Sequence, residues 1–217
     1  MELYGARVSP FYERVLLQVK IKGLESKVAC PGVPGGDLKS KEYLAINPLG
    51  KIPCLKDGDF VLPESSVIAE YLEEKFPENP MLPDDPEGRA KVRMVVKMLD
   101  ANVLPPLITI FRQLRLDEKD MGVISAAIED IKTALDGFEH FISPAPFVVG
   151  DRWTLGDCAL LPVMFYLTRF MPMFGAFPLE GRPNLERWHL AVQDKPIAVE
   201  SEAEMQKSLE ALRASRG

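Results

Sequence analysis

The stretch Asn47-Pro48-Leu49-Gly50-Lys51-Ile52-Pro53, followed eleven residues after Pro53 by Glu64-Ser65, decides how this chain is read. Proline fixes φ near its extended value and donates no N–H, so Ile52-Pro53 is a held, non-helical corner. Glu64-Ser65 opens an apolar-periodic run, which makes it a helix start with free N–H groups and a carboxylate beside them. An extended segment next to such a start suits a small charged peptide, with the helix N-terminus offered to its carboxylate.

Working outward, residues 51–56 read as a strand. Asp57-Gly58 is a hairpin signal, with 60–62 as the return strand. Residues 64–76 form a helix carrying Ile68, Tyr71, Leu72 and Phe76 on one side. Upstream, 3–8 reads as a strand. Ser9-Pro10 supplies an N-cap followed by proline at the first helical position, and a helix runs through Val15, Leu16, Val19 and Ile21 to Gly23. Residues 27–30 read as a second strand, 31–36 as a proline- and glycine-rich loop, and 38–45 as a short helix. The order β-α-β-α-β-β-α predicts an α/β sandwich with a mixed sheet over residues 1–77.

Residues 78–86 hold prolines and acids and read as a linker. Beyond it strand signals vanish. Residues 87–104 are helical up to Pro105-Pro106, where a break or kink is expected. Met121, Ile124, Ile128, Ile131, Leu135, Phe138 and Ile142 step alternately by three and four, the mark of an amphipathic bundle helix. Thr154-Leu155-Gly156-Asp157 is a capping box with aspartate in the usual glutamate position, ahead of an almost wholly apolar helix from Cys158 to Phe170. Asn184 is expected to cap the next helix, and 200–213 reads as a polar helix. Residues 87–217 are therefore expected to be an all-α domain. Met171-Pro172-Met173-Phe174 is an apolar loop that either caps a pocket or packs on the bundle.

Composition bounds the function. The 217 residues carry 47% hydrophobic side chains and a net charge of −6, which excludes a disordered chain and disfavours nucleic acid as a partner. No apolar stretch is expected to reach the ~18–20 residues that span a bilayer, and 1–4 carries no signal-peptide pattern. The three cysteines, Cys30, Cys54 and Cys158, lie far apart without metal spacing, which predicts reduced thiols, a cytoplasmic setting and no metal. His140 and His189 sit singly in helical patterns and read as packing or surface residues.

With these residues in view, the chain resembles the cytosolic glutathione S-transferases over nearly its whole length. The likeness rests on Ser9-Pro10-Phe11 with Arg14-Val15, on 47–53, on Pro63-Glu64-Ser65, and on 150–157, in family order and spacing. The first motif is similar to the tau class, which has serine there, and to the omega class, which has cysteine. The chain departs from the family at Gly156, where alanine is usual, and in the composition of 31–36 near Lys39.

The resemblance implies a thioredoxin-like domain (1–77), a linker (78–86) and an all-helical acceptor-substrate domain (87–217). It implies a detoxification enzyme, a homodimer in the cytoplasm, with glutathione as cosubstrate and no metal, membrane or nucleic-acid partner. Pro53 would be cis, so that the Ile52 backbone pairs with the cysteinyl unit. Glu64 and Ser65 would take the γ-glutamyl end, and Lys39 and Lys51 the glycine carboxylate. Ser9 would activate the thiol. Lowering a thiol pKa from ~8.5 by two needs ~2.7 kcal/mol. A helix N-terminus supplies ~0.3–1 kcal/mol and a hydrogen bond to a charged group ~1.5–3 kcal/mol, so the two together suffice and the dipole alone does not. Tyr4 is expected in the core, whereas Tyr12 competes with Ser9 or lines the acceptor site with Phe11, Ile108, Phe111, Arg115 and Tyr166. Three other readings remain open: a non-catalytic binding or interaction module of the same fold, a glutathione-dependent isomerase or peroxidase, and a serine hydrolase using Ser9. The last lacks a G-x-S-x-G elbow.

Overall fold

A computed structural model describes residues 1–214. In chain order it contains β1 (Glu2–Tyr4), α1 (Pro10–Ile21), a 3₁₀ turn (Pro34–Gly36), α2 (Lys41–Ile46), β2 (Cys54–Asp57), β3 (Phe60–Pro63) and α3 (Ser65–Lys75). Then come α4 (Pro86–Met98), a π turn (Leu99–Val103), α5 (Leu104–Gln113), α6 (Met121–Glu139), α7 (Leu155–Phe170), a 3₁₀ turn (Met171–Phe174), α8 (Pro183–Val192) and α9 (Pro196–Ala214). The chain divides into two compact units, one of residues 1–81 with the segment from Lys195 onward, the other of 82–194.

The first unit is an α/β sandwich. Its sheet runs β1-β2-β3, both pairs antiparallel, with Leu3 opposite Leu55, Tyr4 opposite Cys54 and Cys54 opposite Pro63. Successive strand residues face opposite sides. Leu3 and Leu55 therefore join Val15, Val19, Ile68 and Leu72 in one buried layer, while Tyr4 and Cys54 pack with Tyr43 on the other. The second strand expected at 27–30 is reduced to one parallel bridge, Glu2 to Ala29, so the predicted mixed sheet is parallel at that point only. Neighbouring groups explain why: the Val28 N–H is spent on the Leu24 carbonyl, and Pro31, two residues beyond Ala29, has no N–H to continue a ladder. A buried ion pair, Lys22 to Glu73 at 2.8 Å, ties α1 to the end of α3.

The expected second domain began at 87 and ran to 217, but α9 clusters with the first unit. Two contacts on α1 hold it: Ser201 Oγ donates to Glu13 Oε1 at 2.7 Å, and Lys20 pairs with Glu200 at 2.6 Å. Residues 215–217 of that expected domain lie outside the described residues.

The second unit is all helical. The predicted break lies ahead of Pro105-Pro106, at the π turn, because prolines are best accommodated in the first turn of a helix, where their missing N–H costs least, and therefore open α5. Contrary to the sequence expectation, the run Pro86–Gln113 is long and apolar enough by length and composition to cross a bilayer, with hydropathy 1.5 in its best window. A third of that window is buried inside the unit, and the buried Val92, Val95, Leu99 and Val103 are what a bundle helix requires. In α7 every residue but Thr168 and Arg169 is buried. Its capping box is present, and Asp157 does more than cap. It accepts from the Thr154 N–H and hydroxyl, both at 2.7 Å, from the Val148 N–H at 2.8 Å and from Trp188 Nε1 at 2.8 Å. Burial pushes its carboxyl up, and these donors oppose the push. A Cβ on Gly156 would lie 3.0 Å from Val148 Cγ1, a tight contact that the glycine avoids. Asn184 does not cap α8. Glu139, at the end of α6, accepts from the Asn184 and Leu185 N–H groups at 2.7 and 3.0 Å instead.

Candidate functional site

The register of the sheet assembles the site in the first unit. Tyr4, Cys54 and Pro63 lie side by side at one end of the three strands. The chain leaving β1 toward Ser9, the chain entering β2 through Ile52-Pro53, and the chain leaving β3 into Glu64-Ser65 therefore all pass that end.

Ser9 is the N-cap of α1, in extended conformation, with Pro10 at the first helical position. Its carbonyl accepts from the Tyr12 and Glu13 N–H groups at 3.0 Å each, and its Oγ accepts a longer bond from the Tyr12 N–H, 3.4 Å. Capping uses the hydroxyl as an acceptor, so its proton is left to donate. The cap role and a donor role toward a sulfur are thus compatible.

The Ile52-Pro53 peptide is cis. Two residues hold the chain just before it that the sequence reading gave no role. The Tyr43 hydroxyl and the Asn47 amide both donate to the Lys51 carbonyl, at 2.6 and 2.8 Å, and the Asn47 side-chain oxygen takes the Leu49 N–H at 3.2 Å. Asn47 before Pro48 is a local turn signal that could have been found; Tyr43, which reaches in from α2, left none. Lys51 and Lys39 are exposed cations. Gly50 has φ 58, and a Cβ there would meet Lys39 Nζ at 2.8 Å and the Leu38 carbonyl at 2.9 Å, so Lys39 is brought beside the 50–53 segment.

Glu64 stands at φ 72, ψ 107, a region non-glycine residues avoid, and it precedes the buried Ser65 at the first position of α3. Strain of this kind costs on the order of 1–3 kcal/mol and persists where the surroundings impose it. It orients the exposed Glu64 carboxylate and the first N–H groups of an eleven-residue helix at the same corner.

The acceptor-side expectations divide. Phe11 is half-buried, with the Arg14 guanidinium 5.3 Å from its ring centroid. Tyr12 is 4% exposed and packs in the core of the first unit. Its ring fills the space beside Gly5, where a Cβ would come within 2.0 Å, and burial together with a bond to Cys30 pushes its phenol far up. Tyr4 is buried as expected, its phenol pushed up to about 12 by burial and by Glu2. In the second unit Phe111 packs against Tyr166 at 4.8 Å and Phe170 at 5.4 Å between ring centroids. Tyr166 is 2% exposed, so it supports that cluster from beneath, while Ile108 is half-buried. Arg115 is exposed just beyond the end of α5.

Family profiles match both halves of the chain: "Glutathione S-transferase, N-terminal domain" over residues 3–80 and "Glutathione S-transferase, C-terminal domain" over 121–191. A "Glutathione S-transferase 1" from Dianthus caryophyllus is 33% identical over 82% of this chain and 83% of its own length. The chain belongs to the glutathione S-transferase family. An Arabidopsis thaliana relative, "Glutathione S-transferase U2", is 31% identical over 98% of this chain and 92% of its own. Among solved structures, glutathione transferase F7 from Populus trichocarpa superposes with a TM-score of 0.79 at 27% identity, covering 94% of this chain and 98% of its own. A bacterial maleyl pyruvate isomerase, described as a zeta-class glutathione S-transferase, gives 0.77 at 26% identity, over 93% and 96% of the two chains. The thioredoxin-like first unit and helical second unit of this transferase are the fold these relatives share.

Proposed function

We propose that this glutathione S-transferase binds glutathione at the sheet end described above and uses Ser9 to hold its sulfur as thiolate. The observation that carries the reading is the convergence of Ser9, Ile52-Pro53 and Glu64-Ser65 at one sheet end, set by the register Tyr4–Cys54–Pro63. The cysteinyl backbone pairs with Ile52. The γ-glutamyl carboxylate takes the α3 N–H groups and the Ser65 hydroxyl, and its ammonium takes Glu64. The glycine carboxylate takes Lys39 and Lys51. The Ser9 hydroxyl donates to the sulfur, and the α1 N-terminus adds its partial positive charge. The thiolate attacks an electrophilic, mostly apolar acceptor: the sulfur–carbon bond forms, and the displaced electron pair leaves with a leaving group or is protonated on the acceptor. The half-buried Phe11, on α1 beyond Ser9, is the apolar residue of the first unit offered to that acceptor.

A second reading is favoured by the maleyl pyruvate isomerase neighbour. In this reading the same thiolate adds to an activated double bond and leaves again, so the acceptor is isomerised and glutathione is regenerated. The reduced cysteines, Cys30, Cys54 and Cys158, support a cytoplasmic setting. The apolar run Pro86–Gln113, two-thirds of whose best window is unburied, supports the homodimer.

Calorimetric titration with glutathione, paired with conjugation of an electron-poor aryl halide, tests the proposal. Saturable binding that Lys51→Ala weakens several-fold, with turnover by the wild type, is expected. Binding without turnover of either the halide or a cis-alkene diacid would leave only a binding module, and no binding at all would remove the site.

A further inference from the structure

Tyr43 reaches the sheet end from behind. It lies on α2, is fully buried, and packs beside Tyr4 with ring centroids 6.4 Å apart. Its main chain is fixed on both sides: its N–H donates to Ser40 Oγ at 3.1 Å, and its carbonyl accepts from the Asn47 N–H at 2.8 Å. Its hydroxyl and the Asn47 side-chain amide then converge on one acceptor, the Lys51 carbonyl, at 2.6 and 2.8 Å. Burial pushes the phenol up, so at neutral pH the hydroxyl keeps the proton it donates.

A carbonyl oxygen has two lone pairs, and two donors use both. The Lys51–Ile52 peptide is trans and planar, so its N–H points opposite to its C=O. Pinning the Lys51 carbonyl therefore aims the Ile52 N–H away from Tyr43 and Asn47. Among the described residues that N–H donates to no partner. Pro53 has no N–H, so Ile52 supplies the only main-chain donor that the Ile52-Pro53 pair can offer a ligand.

We infer that Tyr43 is a positioning residue for glutathione: through the Lys51 carbonyl it holds the Ile52 N–H in the direction from which it donates to the cysteinyl carbonyl. The inference rests on the reading that glutathione pairs with Ile52, and it sharpens what that pairing selects. One aimed donor rewards a thiol whose neighbouring carbon carries a carbonyl, as in a cysteinyl peptide. A thiol ligand without that carbonyl gains nothing from the Tyr43 hydroxyl.

Tyr43→Phe keeps the ring and removes the hydroxyl. Calorimetric titration should show glutathione bound about three- to tenfold more weakly, the fold-change of one buried hydrogen bond. The bound thiol's pKa should keep its wild-type value, because Ser9 is untouched, and kcat should hold while KM for glutathione rises. γ-Glutamylcysteamine, which retains the γ-glutamyl end and the thiol but has no cysteinyl carbonyl, should bind both proteins equally. In protein labelled with isotopic isoleucine, with the Ile52 amide assigned through Ile52→Val, saturating glutathione should move that proton downfield and protect it from exchange. Both effects should shrink in Tyr43→Phe. Tyr4→Phe removes a neighbouring phenol that bonds to Glu2 instead, and it should leave the affinity and the Ile52 amide unchanged.

The inference fails if Tyr43→Phe binds glutathione like the wild type. It fails equally if binding weakens while the Ile52 amide is unaltered, since packing of the ring would then be the cause, or if γ-glutamylcysteamine weakens by the same factor as glutathione. In those cases the glutathione reading stands, because protection of Ile52 in the wild type reports it separately. Glutathione that leaves the wild-type Ile52 amide unmoved overturns the reading and the inference together.

Discussion

Ser9→Ala separates the two roles that the hydroxyl carries. As a cap, Oγ accepts from the Tyr12 N–H at 3.4 Å, while the Ser9 carbonyl already takes the same N–H at 3.0 Å. The lost cap therefore falls at the low end of the usual range, about 0.5 kcal/mol. As a donor, the hydroxyl makes a hydrogen bond to a charged sulfur, worth about 1.5–3 kcal/mol. At about 1.4 kcal/mol per pKa unit, its removal should raise the bound thiol's pKa by about 1–2. The α1 N-terminus survives in the variant and keeps its ~0.3–1 kcal/mol, so the thiol should still titrate below the ~8.5 of a free thiol. The assay is the ultraviolet thiolate absorbance of the glutathione complex across pH, with binding measured separately by calorimetry. Ser9→Thr, which retains cap and donor, should restore the wild-type curve. Glutathione affinity should change little, because the contacts assigned to its two ends do not involve Ser9. An unshifted titration in Ser9→Ala with intact binding would refute the assignment, and a lost affinity with an unshifted thiol would make Ser9 a purely structural cap.

Three further outcomes follow from the geometry. Glu64→Gly should relieve the ~1–3 kcal/mol of strain at φ 72, offset by ~0.5–1 kcal/mol of glycine entropy. It should therefore raise the urea midpoint while weakening glutathione; Glu64→Ala should lose the affinity without that gain, and equal midpoints in the two variants would contradict the strain argument. Glu13 is 1% exposed, and its folded carboxyl is held above the ordinary 4.5 by burial, with Arg7, Ser201 and Lys20 opposing. A raised folded pKa means that the native state keeps a proton the unfolded chain releases, so this contribution is full below ~4.5 and is lost as pH rises through the folded value. Wild-type stability should therefore fall relative to Glu13→Gln between acid and neutral pH, and parallel urea midpoints would negate it. Gly5→Ala should destabilise the first unit by about 1–3 kcal/mol through overpacking, since its Cβ would lie 2.0 Å from the Tyr12 ring; adding Tyr12→Leu should recover part of that loss in chemical denaturation.

What was legible in the sequence is what local chemistry writes. Ser9-Pro10, Thr154 with Asp157, and Asp57-Gly58 each place cap or turn residues within four positions of the groups they satisfy, and each element formed where its signal stood. What was not legible depends on partners far along the chain. The cap of α8 is Glu139, some 45 residues upstream of Asn184, and α9 is held by Ser201 on Glu13 across 188 residues; no spacing rule reaches either. Residues 27–30 carry a strand composition but became a single bridge, because a ladder needs donors on both sides and Val28 and Pro31 have none to give. The site divides in the same way. The corner at Pro53, leading into β2, and the helix start at Ser65 were legible because proline and the onset of apolar periodicity mark such boundaries. The burial of Tyr12 left no mark in its own stretch, because a first helical turn does not announce which position faces the core; the glycine at position 5, by leaving room for a ring, is the signal that does. The Lys51 carbonyl makes the point most directly. Its partner Asn47 lies within the motif, whereas Tyr43 reaches it from α2, so half of what holds Ile52 in place comes from a helix whose sequence names no ligand at all.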